Sequence, residues 1–139
     1  MAQRFYYDVR QYAILADADR RILALQLPLH YKPYGGQWTL PGGKLEPKDE
    51  EPEQGILREI HEETGLQARV ERPFYVGKWT SERSCKIAVF YLCAIDEEAP
   101  NLLLSNEHRS AQWLTIQDAL NTAFYAPYFT QALERLAHM

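Results

Sequence analysis

Cysteine is scarce in this chain of 139 residues, and its two cysteines are poorly placed for a disulfide. Cys85 and Cys93 are eight positions apart in one strand-like segment. An extended strand would separate them by about 26 Å, whereas disulfide-bonded Cα atoms lie within about 7 Å of each other. The sequence therefore excludes a disulfide framework and predicts free thiols, as is typical of a cytoplasmic protein.

Long hydrophobic runs are also missing. The longest, residues 87–95, is too short to cross a bilayer as a helix. Residues 1–10 have no basic patch followed by an apolar stretch, so no secretory signal and no membrane partner are expected. Hydrophobic residues make up 46% of the chain and charged residues 24%, which excludes disordered, collagen-like and coiled-coil chains. The length suits a single domain over residues 1–139.

Positive charge is not in excess, because the net charge is −4. Residues 49–63 contain seven acids and one base, while the rest of the chain contains 12 acids and 14 bases. A protein that binds a nucleic-acid polymer would present a basic face, so no such partner is expected. The concentrated acidity indicates a bound cation instead.

Apolar patterning and chain breakers predict a mixed sheet with helices packed on it. Pro52 suits the first turn of a helix and Gly65 its end, so the acidic segment 52–64 is predicted to be helical. Residues 41–43, Pro-Gly-Gly, are expected to break the chain before a polar loop over 44–51. The other predicted helices cover 115–120 and 127–137, and the predicted strands cover 6–15, 21–27, 38–40, 68–79, 86–95 and 111–114.

The acidic helix concentrates three carboxylates on one edge. At about 100° per residue, Glu59, Glu62 and Glu63 fall within an arc of roughly 100°. Carboxylates at these spacings repel one another by a few tenths of a kcal/mol per pair, and oxygen-rich clusters suit Mg²⁺ or Mn²⁺. The alternative is a solvated acidic face with no role, which is what most charge runs are.

Residues 43–66 closely resemble the Nudix box. That pattern is a glycine, five residues, Glu, seven residues, then Arg-Glu-apolar-x-Glu-Glu-x-Gly-apolar, and Glu50 and residues 58–66 match it. Six residues, not five, separate Gly43 from Glu50, so counting from the glycine leads to Asp49. Gly55 stands where the family usually has Ala. The preceding residues 36–43, and Ser-Asn-Glu-His at 105–108 followed by a Trp at 113, also resemble the family.

The resemblance implies an α/β/α sandwich with a mixed sheet, the box helix and C-terminal helices. It also implies hydrolysis of a diphosphate linked to another moiety, usually a nucleoside, with Mg²⁺ or Mn²⁺ as cofactor. Arg58 would orient the helix carboxylates through charge-assisted hydrogen bonds. The metal ligands implied are Glu59, Glu62, Glu63, the carbonyl of Gly42 and, as a secondary ligand, Glu50.

A general base must accept the proton of the attacking water. Glu59, Glu107 and a metal-bridged hydroxide are the candidates, and the sequence leaves the choice open. A plain turn before the strand at 111–114 is an equally good interpretation of Glu107, and for His108 it is the favoured one.

Three side chains are candidates for substrate binding. Lys44 directly follows Gly43 and is expected to contact a phosphate, while Tyr34 and Trp79 are candidates for stacking on a base. Arg83 and Lys86 are weaker candidates for phosphate contact.

Motifs that accompany the box in other Nudix branches are absent. ADP-ribose enzymes tend to have a Pro about fifteen residues after the box, where this chain has Ser81 and Glu82, and no Tyr follows as in diadenosine polyphosphate enzymes. These absences favour a MutT-like enzyme that converts a nucleoside triphosphate to a monophosphate and pyrophosphate, as a monomer or homodimer. The alternatives are a pyrophosphatase for ADP-ribose or another nucleotide sugar, and a nucleotide-binding sensor without catalysis.

Overall fold

The computed structural model describes residues 6–82 and 84–139. Arg83 and residues 1–5 of the N-terminal segment, on which sequence predictions were made, lie outside the described residues. The strands are β1 (Asp8–Ala16), β2 (Ile22–Gln26), β3 (Trp38–Thr39), β4 (Gly42–Lys44), β5 (Arg69–Thr80), β6 (Cys85–Ala94) and β7 (Ser110–Leu114). The helices are α1 (Pro52–Thr64), α2 (Ile116–Leu120) and α3 (Pro127–Ala137).

The sheet is mixed, as predicted, and β1 lies at its centre. β1 runs parallel to β6 along its whole length, from Asp8 opposite Lys86 to Ala16 opposite Ala94. β6 pairs antiparallel with β5. The other edge of β1 pairs with β4 and, at Ala16, with β2, which in turn pairs with β3 and β7. The central strand therefore joins the two halves of the sheet.

Helices cover both faces of the sheet, which confirms the α/β/α sandwich. Successive β1 residues point to opposite faces, so Ala13 and Leu15 pack with Ile56 and Ile60 of α1. Tyr12 and Ile14 belong to the opposite core cluster, with buried side chains of α3. That cluster is rich in aromatic rings, and the C-terminal aromatic residues are part of it: Phe124, Tyr125, Tyr128 and Phe129.

Helix α1 has the predicted bounds, with Pro52 in its first turn and a left-handed Gly65 at its end. Gln11, buried on β1, donates a hydrogen bond from Nε2 to the carbonyl of Pro52 (2.7 Å) and a second to the hydroxyl of Tyr91 (3.2 Å). These bonds fix the start of α1 against the central strand. One edge of the helix is thereby held over β1 and β4.

Two predictions about local structure need correction. Gly42 and Gly43 were expected to break the chain, and Lys44 to begin a loop, but Gly42–Lys44 forms β4 and pairs with Arg10–Tyr12 of β1. Glycine permits this because a Cβ on Gly42 would lie 2.0 Å from the carbonyl oxygen of Gln11. The first strand begins at Asp8, not at residue 6. Among the described helices, none has the length and apolar character of a membrane-crossing segment.

Candidate active site

Arg58 on α1 is the centre of a network of carboxylates. Its Nη1 donates to Glu59 (3.2 Å) and to Glu62 (3.2 Å), and its Nε and Nη2 donate to the two carboxylate oxygens of Asp49 (3.0 and 2.9 Å). The hydrogen bonds to Asp49 raise the pKa of Arg58 and hold that of Asp49 below its ordinary value. Arg58 therefore orients two glutamates of the helix and Asp49 of the preceding loop.

Asp49, not Glu50, turns inward from the loop that precedes α1. The Asp49 side chain is only 3% exposed. Glu50 is exposed, and its backbone N–H donates to Gln54 Oε1 (3.1 Å). Among the described residues, Arg58 forms ion pairs with Asp49, Glu59 and Glu62 but none with Glu50. The extra residue in this loop thus places Asp49 on Arg58, and a ligand role for Glu50 stays a prediction.

The three glutamates of α1 have very different environments. Glu63 is buried, with 4% of its side chain exposed, and its Oε1 accepts a hydrogen bond from the backbone N–H of Gly42 (2.8 Å). Glu59 lies against Gly43, where an added Cβ would come within 3.1 Å of its carboxylate. Glu62 is 53% exposed and faces solvent beside Arg58. Strand β4 therefore contacts Glu59 and Glu63 but leaves Glu62 at the rim.

A late loop brings two further ligand atoms to Glu63. The backbone N–H of Ser105 donates to the carbonyl of Glu63 (3.1 Å), and that of Arg109 donates to the carbonyl of Gln26 at the end of β2 (2.7 Å). Between these two anchors lie Glu107 and His108. One ligand atom from each of Glu63, Glu107 and His108 lies within 4.8 Å of the others.

The charges of this group favour a cation. Burial raises the pKa of Glu63 well above its ordinary value, and the nearby Glu59 and Glu107 raise it further. Burial also raises the pKa of Glu59, and it lowers the pKa of His108 to about 4, which leaves the imidazole neutral at neutral pH. Neutral imidazole and close carboxylates are a donor set suited to a divalent metal. The residues present therefore fit the metal that the resemblance implies.

A cavity of about 310 Å³ opens beside this group. Its walls combine backbone of β4 with cationic, acidic and aromatic side chains. The lining residues include Arg10, Tyr12, Leu27, His30, Tyr31, Thr39, Gly42, Gly43, Glu63, Asn106, Glu107, His108 and Tyr125. A site of this size and composition can hold a small molecule that carries both phosphate and ring groups.

Cations gather on the strands beside the cavity. Arg10 lies opposite Lys44 in the pairing of β1 with β4. Burial lowers the pKa of Lys86 on β6, and the positive charges of Arg10 and Lys44 lower it further. The Nε of Arg10 is buried and has no hydrogen-bond partner among the described residues. Lys44, predicted to contact phosphate, is exposed and is one member of this cationic group.

The structure does not place the two predicted stacking residues in the cavity. Trp79 packs on Tyr34 (ring centroids 5.9 Å apart), and Tyr34 packs on Tyr125 (5.2 Å). The described residues that line the cavity include Tyr31 and Tyr125 but neither Tyr34 nor Trp79. The hydroxyl groups of Tyr125 and Tyr12 are hydrogen-bonded to each other, a contact between residues far apart in the sequence that no local pattern indicates.

Glu63 from the helix edge and Arg10 from β1 line the same cavity, an arrangement that suits a ligand with phosphate groups and a bound cation. The NUDIX domain family model matches residues 7–133. The chain therefore belongs to the Nudix family, as the box at residues 43–66 indicates.

Relatives of known description include pyrophosphohydrolases. The CTP pyrophosphohydrolase of Escherichia coli (strain K12) is 32% identical over 108 residues, which cover 78% of this chain and 76% of that protein. The diphosphoinositol polyphosphate phosphohydrolase 3-alpha of Mus musculus is 28% identical over 109 residues, which cover 74% of this chain and 63% of that protein. The chain thus spans less than two thirds of the length of the latter relative.

Solved structures share the whole fold. The crystal structure of the MutT protein from Methanosarcina mazei Go1 matches with a TM-score of 0.83 and 25% identity, covering 99% of this chain and 97% of that one. Among relatives found by sequence, a MutT-like protein of Streptomyces ambofaciens is 33% identical over 102 residues, covering 73% of this chain and 60% of that protein. The predicted likeness to MutT proteins is therefore confirmed at the level of family and fold.

Proposed function

We propose that this protein is a metal-dependent pyrophosphohydrolase that converts a nucleoside triphosphate to a monophosphate and pyrophosphate. The observation that carries the proposal is the buried Glu63, held by the Gly42 N–H on the wall of the cavity that Arg10 also lines. Carboxylates on one side would hold a divalent cation, and cations on the other side would bind phosphate oxygens.

The free thiols of Cys85 and Cys93 support a cytoplasmic location.

The side chains of the site have distinct proposed roles. Glu63 and Glu107 would hold the metal, which when bound neutralises phosphate charge and lowers the pKa of an attacking water. Arg58 positions Glu59 through its hydrogen bond. Burial raises the pKa of Glu59, which makes this carboxylate a better proton acceptor, so Glu59 is the proposed general base.

The cavity walls suit a nucleotide. Arg10 offers a buried Nε that lacks a partner among the described residues, and a phosphate oxygen would satisfy it. Tyr31 and Tyr125 supply aromatic surface for a base. The similarity to the E. coli CTP pyrophosphohydrolase over most of both chains supports a triphosphate substrate.

A diphosphoinositol polyphosphate is the second candidate substrate. Several relatives of 28% identity are named for that activity, and Arg10, Lys44 and Lys86 form the kind of cationic group that a densely phosphorylated ring needs. Such a ligand would use the cations without needing the aromatic wall, so its turnover should be insensitive to Tyr125→Leu.

A product-release screen tests the proposal. Nucleoside triphosphates, oxidised dGTP, ADP-ribose, diadenosine polyphosphates and a diphosphoinositol polyphosphate are incubated with Mg²⁺ or Mn²⁺. Inorganic pyrophosphatase and a phosphatase couple the products to phosphate detection, and Glu63→Gln protein is the control.

We expect mutation-sensitive release of pyrophosphate from one or more triphosphates, and loss of activity in excess chelator. Preferred turnover of ADP-ribose or the inositol compound would replace the substrate class but keep the metal site. Tight nucleotide binding without any turnover would contradict the hydrolase proposal and favour a sensor.

A further inference from the structure

His108 is a buried imidazole whose Nδ1 has no hydrogen-bond partner among the described residues. Only 7% of its side chain is exposed, and its Nδ1 is buried and unpaired. A buried polar group without a partner costs about 1–3 kcal/mol, and native structures contain few of them. The ring lines the cavity beside Glu63 and Glu107, and its other nitrogen, Nε2, faces the Glu63 carboxylate.

The separation of the ring from Glu63 fits a shared ion better than a direct bond. His108 Nε2 lies 3.7 Å from Glu63 Oε2, which is too long for a hydrogen bond. Two ligands of one ion lie at most about twice a metal–ligand bond of about 2.1 Å apart. The three ligand atoms of Glu63, Glu107 and His108 lie within 4.8 Å of one another, so a small side-chain adjustment would close them on one cation.

The backbone holds the group in place before any ion binds. His108 N–H donates to the carbonyl of Ser105 (3.3 Å), and Ser105 N–H donates to the carbonyl of Glu63 (3.1 Å). The loop is therefore tied to the helix residue that supplies one of the carboxylates. Such a tie reduces the conformational entropy that is lost when the three ligands meet on an ion.

We propose that His108 Nε2 is a direct metal ligand together with Glu63 and Glu107, and that this nitrogen makes the site prefer Mn²⁺ over Mg²⁺. The inference rests on the proposed metal-dependent function and adds a ligand and a metal preference to it. Mg²⁺ takes oxygen ligands and gives up its waters reluctantly, whereas Mn²⁺ is a transition-metal ion that also binds carboxylates but tolerates an imidazole nitrogen better than Mg²⁺ does.

Electron spin-echo spectroscopy of the Mn²⁺-loaded protein tests the proposal directly, because a coordinated imidazole nitrogen modulates the echo of the metal. The chain has four histidines, and His61, on the exposed face of α1, and His30, on the cavity wall, are the matched controls. We expect nitrogen modulation in the wild type, in H61Q and in H30Q, and its loss in H108Q.

A variant with a single histidine guards against a folding defect in H108Q. The triple variant H30Q/H61Q/H138Q leaves His108 as the only histidine of the chain. Imidazole modulation in this variant comes from His108 alone and supports the proposal. If the Mn²⁺-loaded triple variant shows no nitrogen modulation, the proposal is overturned, even if H108Q also shows none.

Calorimetric titration provides the second measurement. In H108Q we expect the dissociation constant for Mn²⁺ to rise at least about tenfold and that for Mg²⁺ to change less, so the ratio of the two affinities falls. Equal losses for both ions would show that His108 only positions Glu63. If Mn²⁺ binds without nitrogen modulation while Mg²⁺-dependent turnover persists, the His108 proposal fails and the proposed function stands. Absence of any divalent-metal binding would contradict both.

Discussion

The carboxylate of Asp49 lies directly over Gly55 of α1, where an added Cβ would come within 2.8 Å of Asp49 Oδ2. These residues are the two departures of this chain from the Nudix pattern: an extra loop residue that brings Asp49 to the expected glutamate position, and a glycine in place of the usual alanine. The structure connects them, because the glycine makes room for the carboxylate that Arg58 binds. The second departure accommodates the first.

Gly55→Ala should therefore stabilise the protein more in the absence of Asp49 than in its presence. Alanine favours a helix over glycine by about 1 kcal/mol, but in the wild type its Cβ would push on Asp49 Oδ2 and on Gln11 Oε1. We expect G55A to gain little or no stability alone and to be more stabilising in the D49A background. A double-mutant cycle by urea unfolding measures the coupling, with the exposed His61→Ala as an additive control. Additivity of G55A and D49A would contradict the packing relationship.

Glu63→Gln should lower turnover by at least about two orders of magnitude while the fold is kept, because it removes a charged metal ligand beside the reacting phosphorus. The amide oxygen of glutamine can still accept the Gly42 N–H, so the fold should be unaffected. Steady-state kinetics and circular dichroism measure the two effects. Glu53→Gln, an exposed acid on the same helix, is the matched control and should retain activity. Near-normal turnover in folded E63Q would show that Glu63 is not a metal ligand needed for catalysis.

The metal-free protein should be less stable near pH 7 than metal-free E63Q. When a carboxyl group has a higher pKa in the folded than in the unfolded chain, the folded protein loses stability as the pH rises through the folded-state pKa. Burial raises the pKa of Glu63 in this way. The advantage of E63Q should shrink as the pH falls and Glu63 becomes protonated.

Thermal unfolding in chelator over a series of pH values measures this difference. Added Mn²⁺ should stabilise the wild type more than E63Q and reverse their order. Parallel pH profiles for the two proteins would show that Glu63 ionises in the folded protein at its ordinary pKa.

Arg10→Gln should weaken binding of a triphosphate. Hydrogen bonds to charged groups contribute about 1.5–3 kcal/mol, so the KM for the preferred triphosphate should rise about tenfold or more. The KM for the corresponding nucleoside diphosphate, which has one phosphate fewer to contact the cations, should rise less. Arg69→Gln is the control, because Arg69 is exposed and its ion pair with Asp96 is remote from the cavity lining. Equal effects of R10Q and R69Q would exclude a phosphate contact for Arg10.

Local signals allowed the sequence to define the box helix and the C-terminal helix. Proline can occupy the first turn of a helix and glycine readily adopts the left-handed end, so Pro52 and Gly65 bound α1 where expected, and Pro127 begins α3. The helical spacing also placed Glu59, Glu62 and Glu63 on one edge. These features depend on neighbouring residues, which is why the sequence by itself determined them.

Only the tertiary structure decided which acidic and aromatic side chains meet. Spacing cannot distinguish the inward Asp49 from the outward Glu50, since the choice depends on Arg58 and on the space over Gly55. His108 reaches Glu63 because backbone hydrogen bonds tie a loop 45 positions later in the chain to α1. The pairing of β4 with β1 and the burial of side chains against distant strands join residues that are far apart in the sequence. A pattern of neighbouring residues therefore cannot predict them.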